Sequence, residues 1–157
     1  MFFSAAASAQ DAPDPRVHLQ NASAAFREKS YAQAVQSATE AITLGFETAV
    51  VYNIRSAALS HLGDFDGALA DADRAVSLSP QSATGYGNRA AARAGKNPPA
   101  PEVLADLKRA AELNAAYQAR YAAAGGTPAA TAAVATAAPK PAPARPRSLP
   151  FDSKYLV

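Results

Sequence analysis

The sequence predicts an all-α fold of antiparallel helical hairpins stacked side by side. Three observations carry that expectation. Apolar and small residues recur at helical spacing on either side of the central stretch Tyr52 to Pro80. Gly63 and Asp64 split that stretch into two helices, Gly ending one and Asp capping the next. The same pattern returns 34 residues upstream and again 34 residues downstream.

Within the central stretch, Tyr52, Ser56 and Leu59 share one helical face. Ala68, Leu69, Ala72, Ala75, Val76 and Leu78 form the second helix, and Pro80 stops it. Small residues at Ser56, Ala68, Ala72 and Ala75 allow a close helix–helix approach. Upstream, Tyr31, Ala34, Ala38, Ala41, Ile42 and Leu44 fall on Phe65, Ala68, Ala72, Ala75, Val76 and Leu78. Downstream, Tyr86, Arg89 and Ala90 fall on Tyr52, Arg55 and Ser56. With a turn one residue longer at 95–101, Leu104, Leu107, Ala110 and Leu113 then fall on Leu69, Ala72, Ala75 and Leu78.

The elements follow in order. Asp14 caps a first helix over about 15–29, with Pro15 at its first position. A second runs over about 31–44 and ends at Gly45. The central pair comes next. A fifth helix covers about 82–94 with Gly95 behind it, and a sixth about 101–113. A seventh, about 115–124, carries Tyr117 and Tyr121 four apart and serves as the cap that a terminal repeat needs. Gly125 and Gly126 end it.

These residues resemble the tetratricopeptide repeat, whose pattern asks for large, small and aromatic residues, then Ala, Ala and Pro at fixed offsets. The central repeat supplies Tyr52, Ser56, Leu59, Ala68, Ala72, Ala75 and Pro80. The first is looser, with His18 in the large slot and Phe46 at the Pro slot, and the third has Ala115 near its Pro slot. The resemblance implies a short right-handed solenoid of about seven helices, with repeats at about 15–48, 49–82 and 83–116 and a cap at 115–124.

It also implies a concave groove lined by the first helix of each hairpin, which receives a peptide or partner protein. The groove positions are Arg16, Leu19, Gln20, Ser23, Phe26 and Arg27, then Val50, Asn53, Ile54, Ala57, Ser60 and His61, then Thr84, Gly87, Asn88, Ala91 and Ala94. Ala57, Gly87 and Ala91 are expected to leave room for a ligand backbone, and Asn53 and Asn88 to hydrogen-bond it. The family includes heat-shock co-chaperones whose groove clamps a ligand's terminal carboxylates with Lys, Arg and Asn. Leu19, Ser23, Ile54, Thr84 and Asn88 occupy those slots here, so that clamp is not expected. Arg55 and Arg89 are expected instead to brace neighbouring helices, against acids such as Glu47 or Asp71.

Composition narrows the function further. With no Cys there is no disulfide, no thiolate metal site and no thiol nucleophile. The net charge is +2, and between residues 15 and 124 eleven Lys and Arg meet ten Asp and Glu. Such a balanced body does not suit nucleic acid as a partner. No run is long and apolar enough to span a membrane. Asp64 and Asp66 before Gly67 only faintly suggest a calcium loop, since Ala75 stands at its twelfth position, and they read as a cap and a solvated face. His18 and His61 have no second ligand at helical spacing, and no Ser sits in a Gly-x-Ser-x-Gly elbow. The expected function is therefore a non-catalytic protein–protein interaction module, with no cofactor and no metal. The alternative is an accessory or chaperone-like subunit of an enzyme complex.

The two ends differ from the body. Ala7-Ser8-Ala9 has the small-x-small form of an export-processing site, so residues 1–14 read as a signal remnant or a disordered Ala-rich end. The first reading implies a periplasmic or secreted protein, the second leaves a cytoplasmic one open. Residues 125–157 read as an Ala/Pro-rich disordered tail. It finishes on the apolar motif Leu149, Phe151, Tyr155 and Leu156, a candidate short binding segment.

Overall fold

The computed structural model describes residues 14–96 and 101–127. The export-like site at Ala7-Ser8-Ala9, the turn residues 97–100 and the tail from residue 128, with Leu149, Phe151, Tyr155 and Leu156, lie outside the described residues.

Seven α-helices and one 3₁₀ turn make up the described chain: α1 (Pro15–Arg27), α2 (Tyr31–Thr43), α3 (Ala49–Leu62), α4 (Phe65–Leu78), α5 (Ala83–Lys96), α6 (Pro101–Leu113), the turn Ala115–Tyr117 and α7 (Gln118–Ala123). They pair as α1 with α2, α3 with α4 and α5 with α6, and each hairpin packs on the next through α2 with α3 and α4 with α5. This is the stacked-hairpin solenoid that the period requires.

Local chemistry sets the boundaries. The Asp14 carboxylate accepts from the backbone N–H of Arg16 at 2.9 Å, and Pro15 opens α1. Asp64 does the same for Gly67 at 3.0 Å. Gly63 follows α3 at φ 84°, left-handed backbone that costs a residue with a Cβ about 1–2 kcal/mol. The expected seventh helix is split, its first turn being 3₁₀. Helix α5 runs through Gly95 to Lys96 rather than ending before it. A side chain at Gly95 would collide with the Phe65 ring, so the missing Cβ makes room for Phe65 rather than ending the helix.

The core is built from small residues. Ala38, Ala41, Ala68, Ala72, Ala75 and Ala110 are all fully buried at facing positions of successive hairpins. Ser56 is buried among them, and its hydroxyl donates to the Ala68 carbonyl at 2.7 Å, so its burial leaves no unpaired group.

Polar braces then lock the stack. Arg55 holds Asp71 through two hydrogen bonds of 2.7 Å and reaches back to Thr39 of the previous hairpin at 3.1 Å. Arg89 repeats the device, holding Asp106 and reaching back to Asp73 at 3.1 Å, while Arg93 joins it on Asp106 at 2.5 Å. Such forked pairs are directional and rigid. Asp71 raises the pKa of Arg55 and Asp106 that of Arg89, in both cases against the lowering effect of burial. Asp71 is thus the partner expected for Arg55. Glu47 is not, because it turns instead to Arg74 and to the Tyr52 hydroxyl.

Candidate functional site

Helices α1, α3 and α5 stand side by side, with α3 touching both others. Beyond α5 the 3₁₀ turn lays Tyr117 against Gly87. Two depressions open on this face. One, of about 380 Å³, is lined by Phe26 of α1, Val50, Asn53, Ile54 and Ala57 of α3, and Ser82, Thr84 and Asn88 of α5 or its approach. The other, of about 360 Å³, is lined by Phe26, Ala57, Ser60, His61, Phe65, Asn88, Ala91 and Arg120. Phe26, Ala57 and Asn88 belong to both, so the two form one trough across the first helices.

Its two halves differ in chemistry. The first has an apolar floor of Phe26, Val50 and Ile54, with Val50 55% exposed. Exposed apolar surface in a concave site gains by being covered. The second is aromatic and polar. His61 stacks on Tyr31 with ring centres 4.2 Å apart, and Phe26 meets Tyr31 edge-on at 5.6 Å. The Ser60 hydroxyl is buried with no hydrogen-bond partner. Arg120 lies over the Tyr117 ring at 5.7 Å and forms no ion pair among the described residues.

The positions expected to face a groove divide accordingly. Phe26, Val50, Asn53, Ile54, Ala57, Thr84 and Asn88 line the apolar half, and Ser60, His61 and Ala91 the aromatic half. Arg16, Leu19, Gln20, Ser23, Arg27, Gly87 and Ala94 line neither. Leu19 packs into the core beside Ala22, Ala38, Ala41 and Val51. Arg27 folds along its own helix, its Nε donating to the Ser23 carbonyl at 3.3 Å. The space beside Gly87 holds the Tyr117 ring rather than a ligand backbone.

The two asparagines bond each other. Asn53 is buried, and the Asn88 Nδ2 donates to the Asn53 backbone carbonyl at 2.9 Å and to its Oδ1 at 3.4 Å. One amide therefore fixes α5 against α3, which leaves Asn88 its oxygen to offer a ligand.

Ser82, Phe65 and Arg120 line the trough without having been read from the sequence as groove residues. Continuing the repeat with its one-residue insertion puts Tyr121 in the place of Tyr86 and Tyr52, so the cap stands in register with the first helices. The same register puts Arg120 in the place of Gly85 and Val51, both buried, so no sequence signal marked it as a trough residue. Among the described residues, no group of three or more His, Asp or Glu is placed to hold a metal ion, and no helix is long and apolar enough to cross a membrane.

No protein-family model matches the chain. Heat shock protein STI1 of Saccharomyces cerevisiae is 36% identical over 104 residues, which is 65% of this chain and 17% of that protein. The chain therefore corresponds to a small part of that relative. Among solved structures, the TPR domain of Arabidopsis OM64 superposes with a TM-score of 0.63 at 26% identity, covering 70% of this chain and 93% of that one. The TPR2B domain of yeast Sti1, solved as a complex with pHsp70, superposes with a TM-score of 0.62 at 28% identity, covering 71% and 95%.

Proposed function

Because this chain is a tetratricopeptide-repeat protein, three hairpins closed by a capping helix, we propose that it is a non-catalytic protein–protein interaction module. Its trough holds an extended segment of a partner protein. The observation that carries this reading is the continuity of the trough, with an apolar floor at Phe26, Val50 and Ile54 joined to a polar half at Ser60, Asn88 and Arg120. An apolar side chain of the segment fills the first half. Its backbone meets the Asn88 oxygen in the second.

The likeness to the Sti1 domain, whose structure holds pHsp70, supports a peptide as the occupant. The mode of holding differs from a carboxylate clamp, because Leu19, Ser23, Ile54, Thr84 and Asn88 offer no cation. Apolar anchoring does most of the work here, and each fully buried aliphatic or aromatic side chain contributes about 1.5–3 kcal/mol before ordering costs.

Short random peptides selected on the full chain provide the test. A selected peptide is expected to bind about tenfold or more weakly to Ala57→Arg, because Ala57 lies where the halves join and a long side chain there fills the trough. The melting temperature should stay close to that of the parent. Equal affinity for both proteins overturns the reading.

A further inference from the structure

The trough has a candidate occupant within the same chain. We propose that the segment Leu149 to Leu156 docks in the trough of its own molecule and is displaced by the partner. This rests on the trough being the binding surface, as argued above.

Four observations converge on that segment. The first is composition: between residues 128 and 148 the largest apolar side chain is Val134, whereas the next eight positions hold Leu149, Phe151, Tyr155 and Leu156. The floor of Phe26, Val50 and Ile54 calls for side chains of that kind. Reach is the second. The 21 residues from 128 to 148 can reach about 70 Å at most, and a random coil of that length spans about 25 Å on average. Three adjacent helices at about 10 Å spacing are no wider than that.

The third is the point of departure. The last turn of α7, Ala123 and Ala124 together with Arg120, borders a depression shared with Ala90, Ala91 and Ala94 of α5, and Ala91 and Arg120 also line the trough. The described chain ends at Thr127, on the α6 side of α7 beside Lys108, Ala111 and Glu112, and the reach just given covers the way back to the trough. The fourth is charge. Asp152 is the one acidic residue after Glu112, and it follows Phe151 directly. Arg120 is a trough guanidinium without an ion pair among the described residues.

Tethering makes weak docking count. A linker of this length holds the segment at an effective concentration on the order of millimolar, so a millimolar intrinsic affinity fills the trough about half the time. A partner peptide then binds about twofold more weakly than it would to an empty trough.

The experiment compares the full chain with the full-length variant Phe151→Ala, Tyr155→Ala, Leu156→Ala by backbone NMR. Expected are shifts at Val50, Ile54, Ala57 and Asn88 that are independent of protein concentration. A trough-selected peptide should bind the variant about twofold more tightly. Identical spectra at those residues overturn the proposal. Shifts that grow with protein concentration overturn it too, by assigning the segment to the trough of a second copy. The two readings fail separately: a selected peptide that shifts the trough residues in both proteins, while the tail substitutions shift nothing, sinks the docking and leaves the trough standing. If the selected peptide leaves the trough residues unmoved, the trough reading falls.

Discussion

The first hairpin and the two that follow share a period and a small-residue core, but they are joined differently. Where the second and third hairpins have Arg55 with Asp71 and Arg89 with Asp106, the first has Asn21 and Ser37. Where they set Tyr52 beneath Arg74 and Tyr86 beneath Arg109, it has His18 hydrogen-bonded to Glu40 at 2.8 Å. The partners keep their places while the charge changes sign. Where the second turns on Gly63, the first turns on Lys29 at φ 62°. The repeat is therefore defined by its buried alanines, and its polar joints are free to vary. In a one-dimensional stack the least-braced end opens at the lowest cost. The first hairpin is that end.

The largest test of the comparison breaks a brace. Asp106 carries two guanidiniums, Arg89 and Arg93, and its side chain is only 4% exposed. Asp106→Ala leaves both half-buried cations without it and is expected to cost about 3 kcal/mol. Ser37→Ala, at the equivalent joint of the first hairpin, should stay within about 0.5–1 kcal/mol, since no charge is orphaned. Urea denaturation of the two variants measures the contrast. A cost for Asp106→Ala no greater than for Ser37→Ala would remove the brace from the account.

A graft sharpens it. Ser37 is 6% exposed, so Ser37→Asp alone buries a charge without a partner and should destabilise by about 1–3 kcal/mol. Asn21→Arg alone should be nearly neutral. Together they recreate the pair of the second hairpin, and a double-mutant cycle should return about 1–2 kcal/mol of favourable coupling. Additive costs would mean that the first hairpin holds those two positions in a different geometry.

What the sequence made legible follows the same division. The period fixed the hairpins, the Asp14 and Asp64 caps and the buried alanines, because each depends on neighbours one repeat or less away. Arg55 was traceable to Asp71 for the same reason. Gly87 was misjudged, and the Asn88–Asn53 bond was not foreseen, because their neighbours lie elsewhere. Gly87 is covered by Tyr117, which comes from the cap, and Asn88 reaches a backbone carbonyl at Asn53 that no side-chain pattern displays. Arg120 entered the trough from a helix read only as a cover. Gly95 looked like a helix end, since its sequence signature is the same whether the missing Cβ serves a turn or a neighbour's ring.

The turns supply a smaller test. Lys29 and Gly63 occupy equivalent places and both take left-handed backbone. Lys29→Gly removes a steric cost of about 1–2 kcal/mol and adds an unfolded-state entropy cost of about 0.5–1 kcal/mol. A net gain of about 0.5 kcal/mol is expected, and Gly63→Lys should lose about 1 kcal/mol. Thermal unfolding of both reads the two directions. If Lys29→Gly destabilises, its side chain is contributing something that the backbone comparison misses.

The smallest effect lies at the seam between the first and second hairpins. Glu47 accepts from Arg74 at 2.9 Å and from the Tyr52 hydroxyl at 3.0 Å. Arg74 first, and Tyr52 after it, hold its carboxyl below the usual 4.5, and Glu47 in turn raises the pKa of Arg74. A folded-state pKa lowered in this way adds stability above 4.5 that is lost as the pH falls through the lower value. Both partners are exposed, so the contribution is small and salt-sensitive. Glu47→Gln should lower the melting temperature slightly at about pH 7, and the difference should fade as acid protonates the parent carboxylate below its lowered pKa. The difference should shrink in about 1 M salt. Melting curves that stay parallel across the whole acid range would show that the Arg74 contact does not hold this seam, leaving the join to Arg55 on Thr39 and to the packing of Val51 against Ala22, Ala38 and Ala41.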